Sequence, residues 1–342
     1  SDFISDFMVF QDLVEDCTAK AAVCPAWLSS VLFLKDCESR RLRIVSKLET
    51  AMRQALDSTD HADVLSLGRW FISVYDMKDK DDNHLYNCND IADFSVGLMF
   101  AAHKNAAIGA AQAVLYSLEY DKLHESDEST VRDNCASLLR DMSVEARSIR
   151  KEAALKNPNN ESLNDMNFVD SLKMCPLIEK VAVEALRVSA HAIGAVRKIV
   201  AKEGWKVSVQ DERNPSLPPK QYHLPYGSYV GIPHVIPHRD KLRWGSDCDS
   251  FNPHREKLHE NFQNDLDFVT FSHGVHKCPG SKVAMLIVQL FIVALLSHYE
   301  VKIPATGKDG GMSSELPAVS FERATLAQRS GPCRLSCTRV SL

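Results

Sequence analysis

Phe271-Ser272-His273-Gly274-Val275-His276-Lys277-Cys278-Pro279-Gly280 sets one cysteine in a tight turn just ahead of the apolar run Val283 to Leu296. Gly274 and Gly280 let the backbone pass close to a flat ligand, and Phe271 can cover the sulfur side. Backbone N–H groups that follow Cys278 can hydrogen-bond a thiolate, which makes this sulfur a candidate ligand for an iron held in a macrocycle. The alternative is a structural cysteine packed beside an apolar helix.

The run that follows contains Gln289 and is short for a bilayer span, so it reads as a core helix, about 281–298. Upstream, Pro215, Pro218, Pro219, Pro225, Pro233, Pro237 and Pro253 crowd one segment and exclude long helices there. The pattern predicts a loop-rich meander over about 215–270, strand-like alternation from Ile193 to Val209, and helix over 164–188. Val131 to Lys156 reads as an amphipathic helix ended by Asn157-Pro158-Asn159-Asn160, and Asp90 to Leu118 as a central helix that is apolar nearly all round. Leu42 to Ala55 and Asp63 to Tyr75 also show helical spacing. Short strands are expected at Tyr299–Ile303 and within Phe321–Val340.

The 342 residues, 45% hydrophobic and 25% charged, can bury a large core. A formal charge of −5 without a Lys/Arg-rich block argues against nucleic acid as a partner. The ten cysteines are scattered singly and form no C-x-x-C pair, so reduced, mostly buried thiols are expected. Cys333 and Cys337 lie close together in sequence but lack the histidines of a zinc site. The opening Ser-Asp-Phe-Ile-Ser-Asp-Phe has neither the basic region nor the apolar core of a signal peptide, and no membrane anchor is visible.

The Cys278 loop resembles the signature F-x-x-G-x-[HR]-x-C-x-G of the cytochrome P-450 heme-thiolate family. Further matches fall in the family's order. Glu184-Ala-Leu-Arg187 places a carboxylate and a guanidinium on one helix face, and Phe251-Asn-Pro253-His-Arg255 follows in the meander. The resemblance implies that Glu184, Arg187 and Arg255 form a structural Glu-Arg-Arg triad; Glu256 stands where the family has an aromatic. An exposed helix salt bridge is the alternative. By the same resemblance Arg197 and His276 are expected to donate to heme propionates, although either could be a solvated surface residue. Tyr222 to Val230 and His238-Arg239-Asp240 resemble scaffold segments. The implied cofactor is heme b, its iron ligated by Cys278, with Phe271, Gly274, His276, Gly280 and Arg197 around it. A thiolate ligand favours O–O cleavage.

On the family's central helix, about 90–118 here, an acid and a threonine usually deliver protons. Phe100-Ala101-Ala102-His103-Lys104-Asn105 puts Lys104 and Asn105 in those places. The resemblance makes Asn105 the candidate distal catalytic residue, and an amide cannot relay a proton as a hydroxyl does. Elements that precede the central helix in the family are not recognisable before residue 90.

The expected fold is therefore mainly α with small β-sheets, a single P-450 domain over 1–342 that lacks its N-terminal part. The implied activity is a monooxygenase that hydroxylates or epoxidises a lipophilic small molecule, in the style of fungal secondary metabolism. Its implied partner is an NADPH-dependent flavoprotein reductase, docked on a face that could include Lys277 and Lys282. Two alternatives stand beside this: a reductase-independent hydroperoxide or endoperoxide isomerase or dehydratase, and a truncated, non-catalytic remnant. A monomer is expected, at the endoplasmic reticulum membrane by family resemblance or cytoplasmic without an anchor.

Overall fold

The computed structural model describes residues 2–21, 33–57, 73–125, 137–156, 171–191, 193–211, 213–258, 266–304, 315–322 and 326–341, with residues 24, 28 and 71. The readings at 58–70, 131–136, 157–160 and 164–170 lie outside the described residues. The chain divides into two compact units, Ser1–Ala107 and Ile108–Leu342, and the boundary falls within one long helix.

In the first unit, Phe3, Phe7, Phe10 and Val14 recur at helical spacing and form the inner face of α1 (Asp2–Ala21). That face meets Ile44, Val45, Leu48 and Met52 of α2 (Lys35–Asp57) and Ile91, Ala92 and Val96 from the start of α3 (Cys88–Glu125). Sequence pattern had not singled out α1. The central helix is longer at both ends than its apolar stretch, because polar residues of its last turns, Asp121 to His124, still carry helical backbone.

The second unit is built on the C-terminal half of α3 with α4 (Leu138–Lys156), α5 (Pro176–Ser189) and α6 (Ser281–His298). Their apolar faces supply Val114, Met142, Ile149, Ile178, Val181, Ala185, Val288, Ile292 and Leu296 to one core. The helix starts are set by side chains that take up orphan N–H groups. Asp121 accepts from Leu138 and Leu139 N–H, at 2.6 and 3.1 Å, at the start of α4. Glu145 accepts from Leu177 and Ile178 N–H, both at 3.0 Å, at the start of α5. A Pro at the first helical turn of α5 places that start at residue 176, with a turn at Lys173-Met174 before it. Gly109 lets α3 approach α5 closely: a Cβ there would lie 2.9 Å from Leu186 Cδ2.

Four two-stranded antiparallel sheets complete the described part of this unit. β1 (Ile193–Lys198) pairs with β4 (Tyr229–Pro233), β2 (Trp205–Val209) with β3 (Lys220–Leu224), β5 (Tyr299–Lys302) with β8 (Ser336–Arg339), and β6 (Val319–Ser320) with β7 (Gln328–Arg329). The prolines of the meander leave room only for single helical turns at Val235–His238 and Lys241–Trp244 and a 3-10 turn at Glu256–Leu258.

Among the described residues, α6 alone is long and apolar enough to cross a membrane by length and composition. It packs on α4 and α5, and Met285, Val288, Ile292, Val293 and Leu296 are in the core. The nine described cysteines are all free thiols.

Candidate functional site

Glu184 and Arg187 lie three apart on α5 and both are fully buried. An isolated charge there would be very costly, so the surroundings must supply partners. Arg187 donates from Nε to Glu184 Oε2 and from Nη2 to Oε1, both at 2.8 Å, a bidentate fork. Its remaining N–H groups go to the carbonyls of His238, Cys248 (2.7 Å) and Ser250 (3.0 Å). Trp244 covers the guanidinium, with 4.8 Å from Cζ to the ring centroid.

Arg255 approaches the same carboxylate from the meander, donating from Nε to Glu184 Oε1 at 3.0 Å. It also donates to the Trp244 carbonyl (2.7 Å), Asp247 Oδ1 (2.8 Å), and the carbonyls of Asp247 (2.6 Å) and Ser250 (3.1 Å). Asn252 N–H adds a further bond to Glu184 Oε1 at 3.0 Å. Two planar forks thus gather six loop carbonyl contacts around one buried carboxylate. The Arg255 guanidinium and Asn252 amide hold the exposed Asp247 carboxyl below its usual range, the arginine being the larger influence.

A second tie runs from this cluster to the cysteine loop. His238 is fully buried, and its Nε2 accepts the Val269 N–H at 2.9 Å, so the ring proton sits on Nδ1. Phe268 stacks on His238 with centroids 5.5 Å apart and meets Phe271 edge-on at 6.3 Å. Phe271 packs against the main core, and its carbonyl accepts the Cys278 N–H at 2.8 Å, closing the loop. Ser272 and Gly274 take φ of 57° and 73°, the left-handed conformation that such a reversal needs.

Burial first, then the neighbouring His234, pushes the His238 imidazole down to about 3. The unfolded chain takes up this proton near 6.5 while the folded chain refuses it, so the unfolded state binds more protons in between. Stability therefore falls as pH drops, and His238 alone should cost about 2 kcal/mol between pH 7 and pH 5. Urea unfolding at the two pH values measures it; His238→Gln should remove most of the difference, and equal midpoints in the unsubstituted chain would contradict the assignment.

The Cys278 side chain is exposed, three residues before α6 begins at Ser281. Val275 is 96% exposed, and a Cβ built at Gly274 would meet no atom within 4 Å. A flat ligand can therefore lie against this loop with the thiol turned toward it, and a thiolate donor suits heme iron. His276 is exposed, as is Arg197, whose one side-chain bond goes to its own strand's Val196 carbonyl at 2.9 Å. Both side chains retain donors that could meet carboxylates. No hydrogen bond joins Arg197 to the Cys278 loop among the described residues. The donor set fits heme.

Asn105 lies on α3 in the first unit and is exposed. Its neighbour Lys104 is turned to α1, where Nζ pairs with Asp12 and Glu15 at 2.9 Å each. The structure thus brings Glu184, Arg187 and Arg255 into one cluster and gathers Phe271, Gly274, His276, Cys278 and Gly280 in one loop. The tie from His238 to Val269 was missed by sequence reading. Its only signal was the His238-Arg239-Asp240 segment, read as scaffold.

Residues 163–321 match the family model for cytochrome P-450. The chain is 25% identical over 182 residues to the cytochrome P-450 monooxygenase mpaDE of Penicillium brevicompactum, which covers 52% of this chain and 20% of that protein. It is 26% identical over 163 residues to the monooxygenase pytD of Aspergillus terreus (43% of this chain, 41% of that protein) and 31% over 84 residues to secologanin synthase 1 of Catharanthus roseus (24% and 16%). The chain thus spans less than half of each of these relatives. A retinoic acid-bound cyanobacterial CYP120A1 shares the fold with a TM-score of 0.56 at 16% identity, covering 89% of this chain and 57% of that one.

Proposed function

We propose that the chain, whose residues 163–321 match the cytochrome P-450 family model, is a heme-thiolate monooxygenase of that family that hydroxylates or epoxidises a lipophilic small molecule in secondary metabolism. O₂ is the oxidant, and electrons come from an NADPH-dependent flavoprotein reductase. The observation that carries this reading is the exposed Cys278 on a loop fastened through Val269 and His238 to the buried Glu184 cluster. When bound, heme supplies an iron whose thiolate-donated electron density favours O–O cleavage.

The chain's own residues hold and tune that group. Cys278 would be the iron ligand, on the loop that leads directly into α6. Phe271 ties the loop to the core, while Arg197 and His276 would pair with the carboxylates of the macrocycle. Asn105 takes the distal role only by family resemblance, and its amide holds no transferable proton. Lys104 is committed to Asp12 and Glu15 and does not replace the usual acid.

That last pairing favours one second reading, an isomerase or dehydratase that acts on a hydroperoxide and needs no proton relay. Turnover separates the two. With heme, reductase, NADPH and O₂, gain of one oxygen atom by a lipophilic substrate, coupled to NADPH consumption, is the expected result. Conversion of a fatty-acid hydroperoxide without NADPH or O₂, and no NADPH-coupled oxygenation, would overturn it.

A further inference from the structure

We infer that Cys17 and Cys37 form a redox-sensitive pair whose oxidation to a disulfide clamps α1 to α2. Cys17, 4% exposed, donates its thiol proton to the Phe33 carbonyl at 3.0 Å. Phe33 is one helical turn before Cys37, so the Cys17 sulfur lies at the start of α2, on the Cys37 side. After burial, Cys17 is the largest influence on the Cys37 thiol, as expected of neighbouring sulfurs.

The register of the two helices supports this contact independently. Asp6 pairs with Lys47 at 2.5 Å, eleven residues back along α1 and ten forward along α2. At 1.5 Å per residue the intervals are about 16.5 and about 15 Å, close enough for an antiparallel pair. Phe7 and Phe10 pack with Ile44 and Val45 between these two cross-connections and fix the pairing. The fold thus brings the two cysteines to the same end of the α1–α2 pair.

Half-buried Cys37 is the more accessible thiol. The Cys37 thiol gives its proton to solvent, its thiolate attacks hydrogen peroxide and breaks the O–O bond, and the departing hydroxide takes a proton back from solvent, giving a sulfenic acid and one water. The Cys17 sulfur then attacks the Cys37 sulfur, forming the S–S bond and releasing the second water, so two thiols are oxidised and one peroxide is reduced. Burial, then Cys17 and the acidic Glu38 and Asp36, raise the Cys37 thiol's pKa, which makes the first step slow at neutral pH and faster in mild alkali.

Trypsin resolves the three candidate sulfurs, because Cys17, Cys24 and Cys37 fall on separate peptides ending at Lys20, Lys35 and Arg40. The folded chain, treated with hydrogen peroxide in mild alkali and alkylated, should yield the peptide ending at Lys20 joined to Asp36–Arg40, lighter by two hydrogens than their sum. Dithiothreitol should separate them, the link should persist in Cys24→Ser, and it should vanish in Cys37→Ser. Full alkylation of Cys17 and Cys37 after oxidation, or a link through Cys24 or between two chains, would overturn the inference.

Discussion

Cys278→Ser should leave the fold standing and remove the thiolate signature from the heme-loaded chain. The side chain is exposed, and the loop is held by backbone contacts that serine keeps: Cys278 N–H to the Phe271 carbonyl, Ser281 N–H to the Cys278 carbonyl at 3.3 Å, and Lys277 N–H to Gly274 at 3.0 Å. Losing so exposed a thiol should change stability by about 0.5 kcal/mol or less. A serine hydroxyl is a much poorer donor to iron than a thiolate, so the reduced, carbon monoxide-bound chain should lose the strongly red-shifted Soret band of a thiolate complex. Monooxygenation should fall to background. Cys333→Ser, on a half-buried cysteine far along the chain, is the control and should retain both properties. An unchanged spectrum in Cys278→Ser would assign the ligand elsewhere.

Glu184→Gln should be the most damaging change to stability. The carboxylate is fully buried, with four donor contacts from Arg187, Arg255 and the Asn252 amide. A glutamine amide turns N–H groups toward guanidinium N–H groups on one side and removes the carboxylate paired with Arg187 and one of the two paired with Arg255. Breaking one partner of a buried ion cluster costs about 3–5 kcal/mol. Urea unfolding followed by far-UV circular dichroism measures this, and a loss below about 1 kcal/mol would be the value of an exposed pair instead. Heme retention should fall with it, since the Cys278 loop is anchored through His238, whose carbonyl is one of the Arg187 acceptors.

The cysteine loop and α6 were legible because their chemistry is local: a glycine-bracketed cysteine and an apolar run interrupted only by Gln289 occupy adjacent residues. Glu184 and Arg187 were legible as a spacing, while Arg255 entered only through the family's order. Their carbonyl partners were not, because the Trp244, Cys248 and Ser250 carbonyls are backbone atoms with no residue signature. Lys104 shows the same limit from the other side. Its place on the central helix could be read, but its pairing with Asp12 and Glu15 depends on α1, whose Asp12 lies 92 residues earlier in sequence. The start of α5 at Pro176 was hidden by apolar periodicity that continues upstream, where the turn at Lys173-Met174 interrupts it.

The carbonyls gathered by Arg187 carry a consequence for the order in which the molecule folds. The segment from His238 to Asn252 has no backbone ladder of any length; its His238, Cys248 and Ser250 carbonyls are satisfied by a side chain 51, 61 and 63 residues earlier. Such contacts cannot reward the chain until α5 is already formed and docked, and closing loops of that length is slow. The meander should therefore order after the helices, on the native side of the folding barrier, so that substitutions within it accelerate unfolding while leaving the folding rate nearly unchanged.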